Sequence, residues 1–388
     1  MGRGMNDQLR IGGDGRRARL IAFYLPQFHL IPENDEWWGK GFTEWTNVAR
    51  ARPSFRGHYQ PHLPADLGFY DLRVPETRMA QAEMARESGI EGFCYWHYWF
   101  AGKQLLHRPF NEVLKSGEPD FPFCLAWANQ SWTGIWHGCP DRILIEQTYP
   151  GVKDYTSHFY ALPEAFGDGR YMTVAGKPIF VIYYPYGLPE PERFTDSWRE
   201  LAIKSGLKGL YFIAIADMGW NPKEHGFDAC VVGNPGVVLA RLGHFSRNRR
   251  DRICKRLFGK EAKALRREFF SRPSIYLYEE VIKQALPTLS SDFEQYPCVI
   301  PNWDNTPRSG FNGVVFHNST PTLFGLHLRQ AIEQVIDREP DNRVVFVKSW
   351  NEWAEGNYLE PDQKFGRAYL EVLRDTILSP SFQWVGRL

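Results

Sequence analysis

Val344-Val345-Phe346-Val347-Lys348-Ser349-Trp350-Asn351-Glu352-Trp353-Ala354-Glu355-Gly356 is the stretch that decides how this chain is read. It opens as a short β-branched apolar run, the pattern of a strand buried on both faces. It then turns into a polar, aromatic loop with two carboxylates three residues apart and a glycine behind them. Acids and tryptophans at the far end of a buried strand are what a barrel enzyme shows where catalytic groups leave the strand ends. Glu352 and Glu355 stand beside Trp350, Trp353 and Tyr358, with a further acid at Glu360. Two acids beside aromatic platforms are what glycosidic-bond chemistry uses. Tryptophan is costly to leave in a solvated loop without a partner, so the cluster argues against two incidental surface glutamates.

Outward from this stretch the chain alternates buried strands with amphipathic helices. The pattern predicts strands over 20–28, 92–100, 123–128, 178–184, 210–216, 229–232, 298–303 and 344–348. Helices are expected over 75–88, 109–115, 155–166, 198–204, 277–285, 322–336 and 367–377. The first has Met79, Ala82, Met84 and Ala85 on its apolar side and Gly89 as its stop. Eight such units over this length match a single (β/α)8 TIM barrel. A doubly wound sheet usually brings a glycine-rich phosphate turn, and no G-x-G-x-x-G or G-x-x-x-x-G-K-[ST] occurs.

Two connections break the rhythm. Residues 31–74, after the first strand, hold Trp37, Trp38, Trp45, His58, Tyr59 and His62. A loop of that length at the catalytic end of a barrel is usually functional. Residues 241–272 carry about a dozen Lys and Arg against three acids, a basic insertion between strands six and seven. It reads as a solvated helical insertion, or as a site for an anionic partner such as a lipid-linked glycan or a membrane surface.

Composition narrows the function. A net charge of +1 over 388 residues implies no general attraction to nucleic acid or membrane. The aromatic fraction is 15% with 14 Trp, more than a core alone usually needs, and sugar rings stack on Trp and Tyr faces. Six scattered cysteines without C-x-x-C or His-rich spacing argue against structural zinc, and no cofactor or metal is expected. Cys94 and Cys124 lie in apolar runs and read as buried thiols. The segment 1–18 is polar, glycine-rich and basic with no apolar signal core, and reads as a disordered lead-in to a catalytic domain over 19–388. No run of about 18 apolar residues is present, so no transmembrane segment is expected, and the composition points to the cytoplasm.

The strand ends converge in type. The first delivers Tyr24, Gln27, Phe28 and His29, and the second Tyr95 to Trp99, including Trp96, His97 and Trp99. The third gives Trp127, Asn129, Gln130 and Trp132, and the fourth Tyr183, Tyr184 and Tyr186. The fifth offers Asp217 and Trp220, and the sixth Asn234. The seventh brings Trp303, Asp304 and Asn305, and the eighth the glutamates with Trp350, Asn351 and Trp353. For any one aromatic, core packing competes with a site role. For the set, one barrel mouth with aromatic floors and Asn, Gln and His groups for hydroxyls is the simplest account. Trp45 and Glu360 are counted with it. Breaking a glycosidic bond needs a proton on the leaving oxygen and a negative group at the anomeric centre or its attacker. Glu352 and Glu355 supply both if their pKa values are held apart, and spacing alone does not say which is the acid. His29 and His97 are alternatives, although a strand-end His is more often a sugar ligand or a satisfied core group.

Five stretches together carry a resemblance. They are Ala22 to His29, Trp37 to Trp45, Gly92 to Phe100, Trp303 to Arg308 and Trp350 to Pro361. They resemble the WbsX-type glycosyltransferase family, which is similar to glycoside hydrolase family 99, over about residues 20–375. The resemblance implies a (β/α)8 barrel and endo-acting, retaining cleavage of α-mannosidic links. It also implies that Glu352 helps deprotonate the sugar's own 2-hydroxyl, which attacks through a 1,2-anhydro intermediate, while Glu355 is the acid/base. The segment departs from the hydrolase pattern at Ala354, where those enzymes usually carry His, and again around residues 230–236. The WbsX side implies glycosyl transfer in O-antigen or other surface-polysaccharide assembly. Nucleotide-sugar transferases commonly need a D-x-D metal site or Rossmann halves, and no two aspartates here lie two apart. A lipid-linked donor escapes that objection, and the 241–272 block is a place for one. Three readings follow: a glycoside hydrolase or transglycosylase on α-linked, mannan-like or O-antigen-type polysaccharide, a polysaccharide-assembling glycosyltransferase, and a non-catalytic glycan-binding barrel.

Overall fold

The computed structural model describes residues 16–134, 139–217, 219–233, 235–236, 238–239 and 272–378, with backbone only at 139–141. Nearly all of the expected lead-in (1–15), the basic block (241–271) and Asn234 lie outside the described residues.

Eight parallel strands follow one another round a closed ring: β1 (Arg19–Tyr24), β2 (Gly92–Phe100), β3 (Phe123–Trp127), β4 (Lys177–Ile182), β5 (Tyr211–Ile215), β6 (Ala229–Val232), β7 (Glu294–Val299) and β8 (Val344–Val347). β1 pairs with β2 on one side, Ala22 opposite Phe93, and closes on β8 on the other, Leu20 opposite Val345. Closure leaves no barrel edge to protect. Helices α1 (Pro75–Glu87), α2 (Arg108–Ser116), α3 (Val152–Tyr160), α4 (Pro191–Lys204), α5 (Tyr278–Ala285), α6 (Pro321–Val335) and α7 (Ala368–Leu378) lie in the connections. Among the described residues the β5–β6 connection holds only the 3-10 turn Pro222–His225. The architecture is the (β/α)8 barrel that the strand and helix pattern predicts.

Several boundaries differ. β1 stops at Tyr24, ahead of Pro26, which has no N–H to continue a ladder. β7 starts at Glu294, four residues before the expected 298, because Gln295 and Pro297 mask its buried pattern. The expected helix 155–166 is two pieces, α3 and Pro163–Phe166, and α4 starts at Pro191 rather than 198. Met79 of α1 is 49% exposed. The buried face of α1 carries Arg78 and Gln81 instead, which meet polar groups behind the barrel mouth. The long β1–α1 connection contains two helices, Pro32–Trp38 and Glu44–Arg50, which the sequence reading leaves out.

The barrel interior prepares the site. Trp96, Phe23 and Phe346 stack as a column, with ring centroids 4.8 and 5.3 Å apart. Above it the end of β8 is tied to the end of β1. The Trp350 N–H donates to Phe23 O (2.8 Å). The Asn351 side chain accepts from Leu25 N (2.7 Å) and donates to Leu25 O (3.1 Å), a side-chain imitation of strand pairing. These bonds aim the next residue, Glu352, at the barrel axis. Among the described residues no helix is long and apolar enough to cross a membrane.

Candidate active site

Glu352 is buried, and one of its oxygens, Oε1, accepts three hydrogen bonds: from Trp96 Nε1 (2.8 Å), Lys348 Nζ (2.9 Å) and Ser349 Oγ (3.1 Å). Lys348 is the residue that follows β8, and its ammonium also lies 5.2 Å from the Trp96 ring centroid. Burial opposes ionisation of Glu352, but Lys348, the hydrogen bond from Glu355 and the charge of Arg308 outweigh it and hold the carboxyl down at about 2.

Glu355 is 18% exposed and takes a hydrogen bond from Arg308 Nη1 at 2.5 Å. The same guanidinium reaches Glu44 Oε2 through Nε (3.2 Å) and Nη2 (3.1 Å), and Glu44 is fully buried. Burial pushes Glu355 up to about 7, aided by Glu352 and resisted by Arg308 and Lys348. Charge counting leads to the same assignment. Two cations, Lys348 and Arg308, face three carboxyls, Glu44, Glu352 and Glu355, so one proton makes the buried group neutral. Three donors on Glu352 favour its anion, while burial and the neighbouring Glu352 raise Glu355, which makes Glu355 the better holder of that proton than Glu352.

The turn carrying Glu355 is fixed from behind. Gly356 has φ +61°, and a Cβ there would come within 2.9 Å of the Asp304 backbone, so only glycine fits. Asp304 N–H donates to Glu355 O (2.7 Å). The Asp304 carboxylate is in turn held by His58 Nε2 (2.6 Å), Gln60 Nε2 (2.7 Å) and Thr306 Oγ1 (2.6 Å).

These groups open on a cleft of about 370 Å³. Of the residues expected at the mouth, Gln27, Trp96, Trp132, Tyr183, Trp303, Glu352 and Glu355 line it. Gln130 lines it as well, Tyr184, Tyr186 and Asp217 are exposed outside it, and most of the others lie in the walls behind. Tyr24 donates to Gln81, Trp45 to Tyr70 O, and Trp127 to Trp99 O. Trp99 points at Asp154. His97 pairs with His158 (2.8 Å), and burial pushes it down to about 3. His29 is buried and pushed down to about 4 by that burial. Neither histidine is among the residues lining the cleft. Asn129 grips the backbone of Tyr184, and Asn305 takes Val314 N–H. Trp350 packs on Phe93, Asn351 clamps Leu25, and Trp353 stacks on Tyr358 (3.8 Å).

Glu360 is 2% exposed and accepts from Trp353 Nε1 (2.6 Å), Gln81 Nε2 (2.6 Å) and Tyr70 OH (2.8 Å). It fixes the loop that follows β8 from behind rather than touching the cleft. A Glu360→Gln variant places an amide N–H2 among donors. The expected cost is about 1–3 kcal/mol, read as a lower urea midpoint at unchanged m-value. A midpoint equal to wild type excludes the role.

Sequence reasoning assigned no role to Lys348, Arg308 or Glu44. Lys348 had a signal: a cation ends the apolar run four residues before Glu352. Arg308 and Glu44 lie 264 positions apart, and no periodicity says that they meet.

A (β/α)8 barrel with a buried carboxyl pair of unequal proton affinity in an aromatic cleft, in this family, marks a carbohydrate-active enzyme. The chain belongs to the Glycosyltransferase WbsX family, whose model matches residues 20–373. It is 37% identical over 364 residues to the uncharacterized protein WxcX of Xanthomonas campestris pv. campestris strain B100, covering 93% of this chain and 50% of that protein. The chain thus spans about half the length of the curated relatives it matches. Among solved structures it shares its fold with a glycoside hydrolase-like protein (14% identity, TM-score 0.54, 93% of this chain and 94% of that one). It shares it also with a GH99 endo-α-mannosidase from Bacteroides thetaiotaomicron (15% identity, TM-score 0.51, 92% and 95%).

Proposed function

We propose that this chain is a retaining glycoside hydrolase of α-linked polysaccharide, mannan-like or of O-antigen type, using Glu352 and Glu355. The observation that carries the reading is the pair itself: one carboxylate whose anion Lys348, Trp96 and Ser349 hold, and near it one carboxyl whose proton affinity burial raises. Glu355 gives its proton to the leaving oxygen. Glu352 takes the proton of the C2 hydroxyl, whose oxygen closes on C1 as the C1–O bond breaks. Water then opens the three-membered ring at C1, returning a proton to Glu355, while Glu352 reprotonates O2. A carboxylate held as low as Glu352 is a weak base toward an ordinary hydroxyl. Its proton uptake therefore accompanies bond breaking, when the developing charge at C1 acidifies the neighbouring hydroxyl. The leaving oxygen and O2 stand on opposite faces of an α-mannoside, so the substrate's C1–C2 edge sits between the two carboxyls. Ordinary retaining sites hold their carboxyls about 5–5.5 Å apart and inverting ones about 6.5–9.5 Å. A route without an enzyme nucleophile at C1 does not need either spacing.

The wall aromatics Trp96, Trp132, Tyr183 and Trp303 supply stacking faces, and Gln27 is placed for hydroxyls. A cytoplasmic setting, the 19–388 catalytic unit and an anionic, lipid-linked glycan at residues 241–272 remain parts of this proposal. The family description favours a second reading, glycosyl transfer, for which we propose a lipid-linked donor in polysaccharide assembly.

The test is release of reducing ends from α-mannan and bacterial O-polysaccharides with no activated sugar present. Wild type is expected to cleave at least one, and Glu352→Gln to lose at least about a hundredfold in rate. Turnover that appears only with an activated or lipid-linked donor moves the assignment to transferase. Glycan binding that is indifferent to the substitution, with no turnover in any assay, leaves a binding barrel.

A further inference from the structure

A second aromatic feature starts where the cleft ends. Tyr183 lines the cleft with its ring edge-on to Trp96 (5.4 Å). The next rings along the chain turn outward: Tyr184 is 39% and Tyr186 50% exposed. Their centroids are 5.9 Å apart. Tyr186 lies 6.1 Å from Trp220 on the β5–β6 connection, and Trp220 stacks on His225 at 4.7 Å. Four rings therefore run from the β4 end across to the neighbouring loop, each about one sugar ring from the next.

These side chains are exposed yet held. Asn129, at the end of β3, accepts from Tyr184 N (2.7 Å) and donates to Tyr184 O (2.8 Å). A Cβ on residue 187 would come within 2.5 Å of the Tyr184 ring, so Gly187 lets that ring lie against the backbone. The Tyr186 hydroxyl accepts the Asp217 N–H (2.9 Å), and the Asp217 side chain is exposed beside the run. Rings pinned by backbone contacts lose little freedom on binding. They offer apolar faces with a carboxylate nearby for hydroxyls, the mixture that a pyranose chain presents in complement. Successive rings are steeply inclined, at 62° and 70°, which suits a twisting glycan better than a flat protein surface.

We propose that Tyr184, Tyr186 and Trp220 form a glycan-binding platform continuous with the cleft, which holds the sugars of a polymeric substrate beyond the residue being cleaved. The proposal rests on the reading of the cleft as a glycan site and adds that the substrate is a chain rather than a short glycoside.

The experiment uses the full chain with Tyr184→Ala/Tyr186→Ala, alone and combined with Glu355→Gln. Binding is read as retardation in native gels cast with α-mannan or a bacterial O-polysaccharide, and turnover with the same polymers and with a nitrophenyl α-mannoside. The expected result is about tenfold weaker retardation in the double variant, a matching rise in KM for polymer, and an unchanged rate on the short glycoside. Tyr186→Phe, which keeps the ring but loses the hydroxyl that accepts the Asp217 N–H, should be retarded more nearly like wild type than like the double variant. Equal retardation of wild type and double variant overturns the platform, and so does failure of every polymer to retard wild type. An equal loss on the short glycoside also overturns it, since the rings would then act within the cleft. Retardation by the Glu355→Gln protein needs no catalysis, so a platform that binds in an enzyme that never cleaves sinks the hydrolase reading alone.

Discussion

Glu355→Gln is expected to lower kcat on polysaccharide by about two to four orders of magnitude, the usual effect of removing a general acid. The variant keeps the hydrogen bond to Arg308 through its amide oxygen, so the loss reports chemistry more than folding. As the proposed acid Glu355 acts protonated, and burial beside Glu352 raises its carboxyl to about 7. Wild-type kcat/KM should therefore fall as pH rises through about 7. Glu352 acts ionised and is held at about 2, so no acid limb should appear above pH 4. The leaving group provides a second axis. A nitrophenolate departs almost without protonation, so Glu355→Gln should lose far less on a nitrophenyl glycoside than on polymer. The measurement is kcat/KM from pH 4 to 9 on both substrates. Equal losses on both, or an alkaline limb that survives the substitution, would remove Glu355 as the acid.

That assignment shows how far residues can be read without coordinates. The Val344 to Val347 run announced β8, and the spacing of Glu352 and Glu355 announced a carboxyl pair at its end, because strand ends and paired acids leave local patterns. The division of labour within the pair was not local. It depends on Lys348, which the strand pattern counted as the end of an apolar run, and on Arg308, which arrives from the β7–α6 connection. The aromatic mouth shows the opposite failure. Trp45, Trp99, Trp127, Trp350 and Trp353 have the composition of sugar platforms, yet each packs or donates inward, into the walls that hold the cleft. A tryptophan's type says that it needs a partner, and only its direction says whether that partner is a sugar. Gln81 was invisible because a polar residue on the buried face of α1 contradicts the helix pattern, and the reason is the carboxylate of Glu360.

Arg308→Met should be the most destabilising of the single changes considered, by about 3–5 kcal/mol near pH 8, because it strands a buried carboxylate. Glu44 is fully buried, and its partners in the ion pair are the Nε and Nη2 groups of Arg308. Burial already raises the Glu44 carboxyl, and Arg308 works against that rise. Without the guanidinium the folded-state pKa climbs further above its unfolded value. A carboxyl raised on folding contributes stability that is present below its unfolded pKa and lost as pH rises through its folded pKa. The deficit of the variant should therefore be small near pH 4 and grow toward pH 8, a slope that a simple loss of packing does not produce. Glu44→Gln in the same chain removes the stranded charge, so the double variant should recover most of the stability and lose the slope. Activity should separate from stability. Arg308 also lowers Glu355, so its removal moves the alkaline limb of kcat/KM upward in both the single and the double variant. Urea unfolding of the two variants at pH 4 and 8, with rates across the same range, reads both effects. A deficit of equal size at both pH values, or a double variant no more stable than Arg308→Met, would mean that Glu44 is not the charge that Arg308 neutralises. An alkaline limb that stays in place would mean that the guanidinium does not set the proton affinity of the catalytic acid.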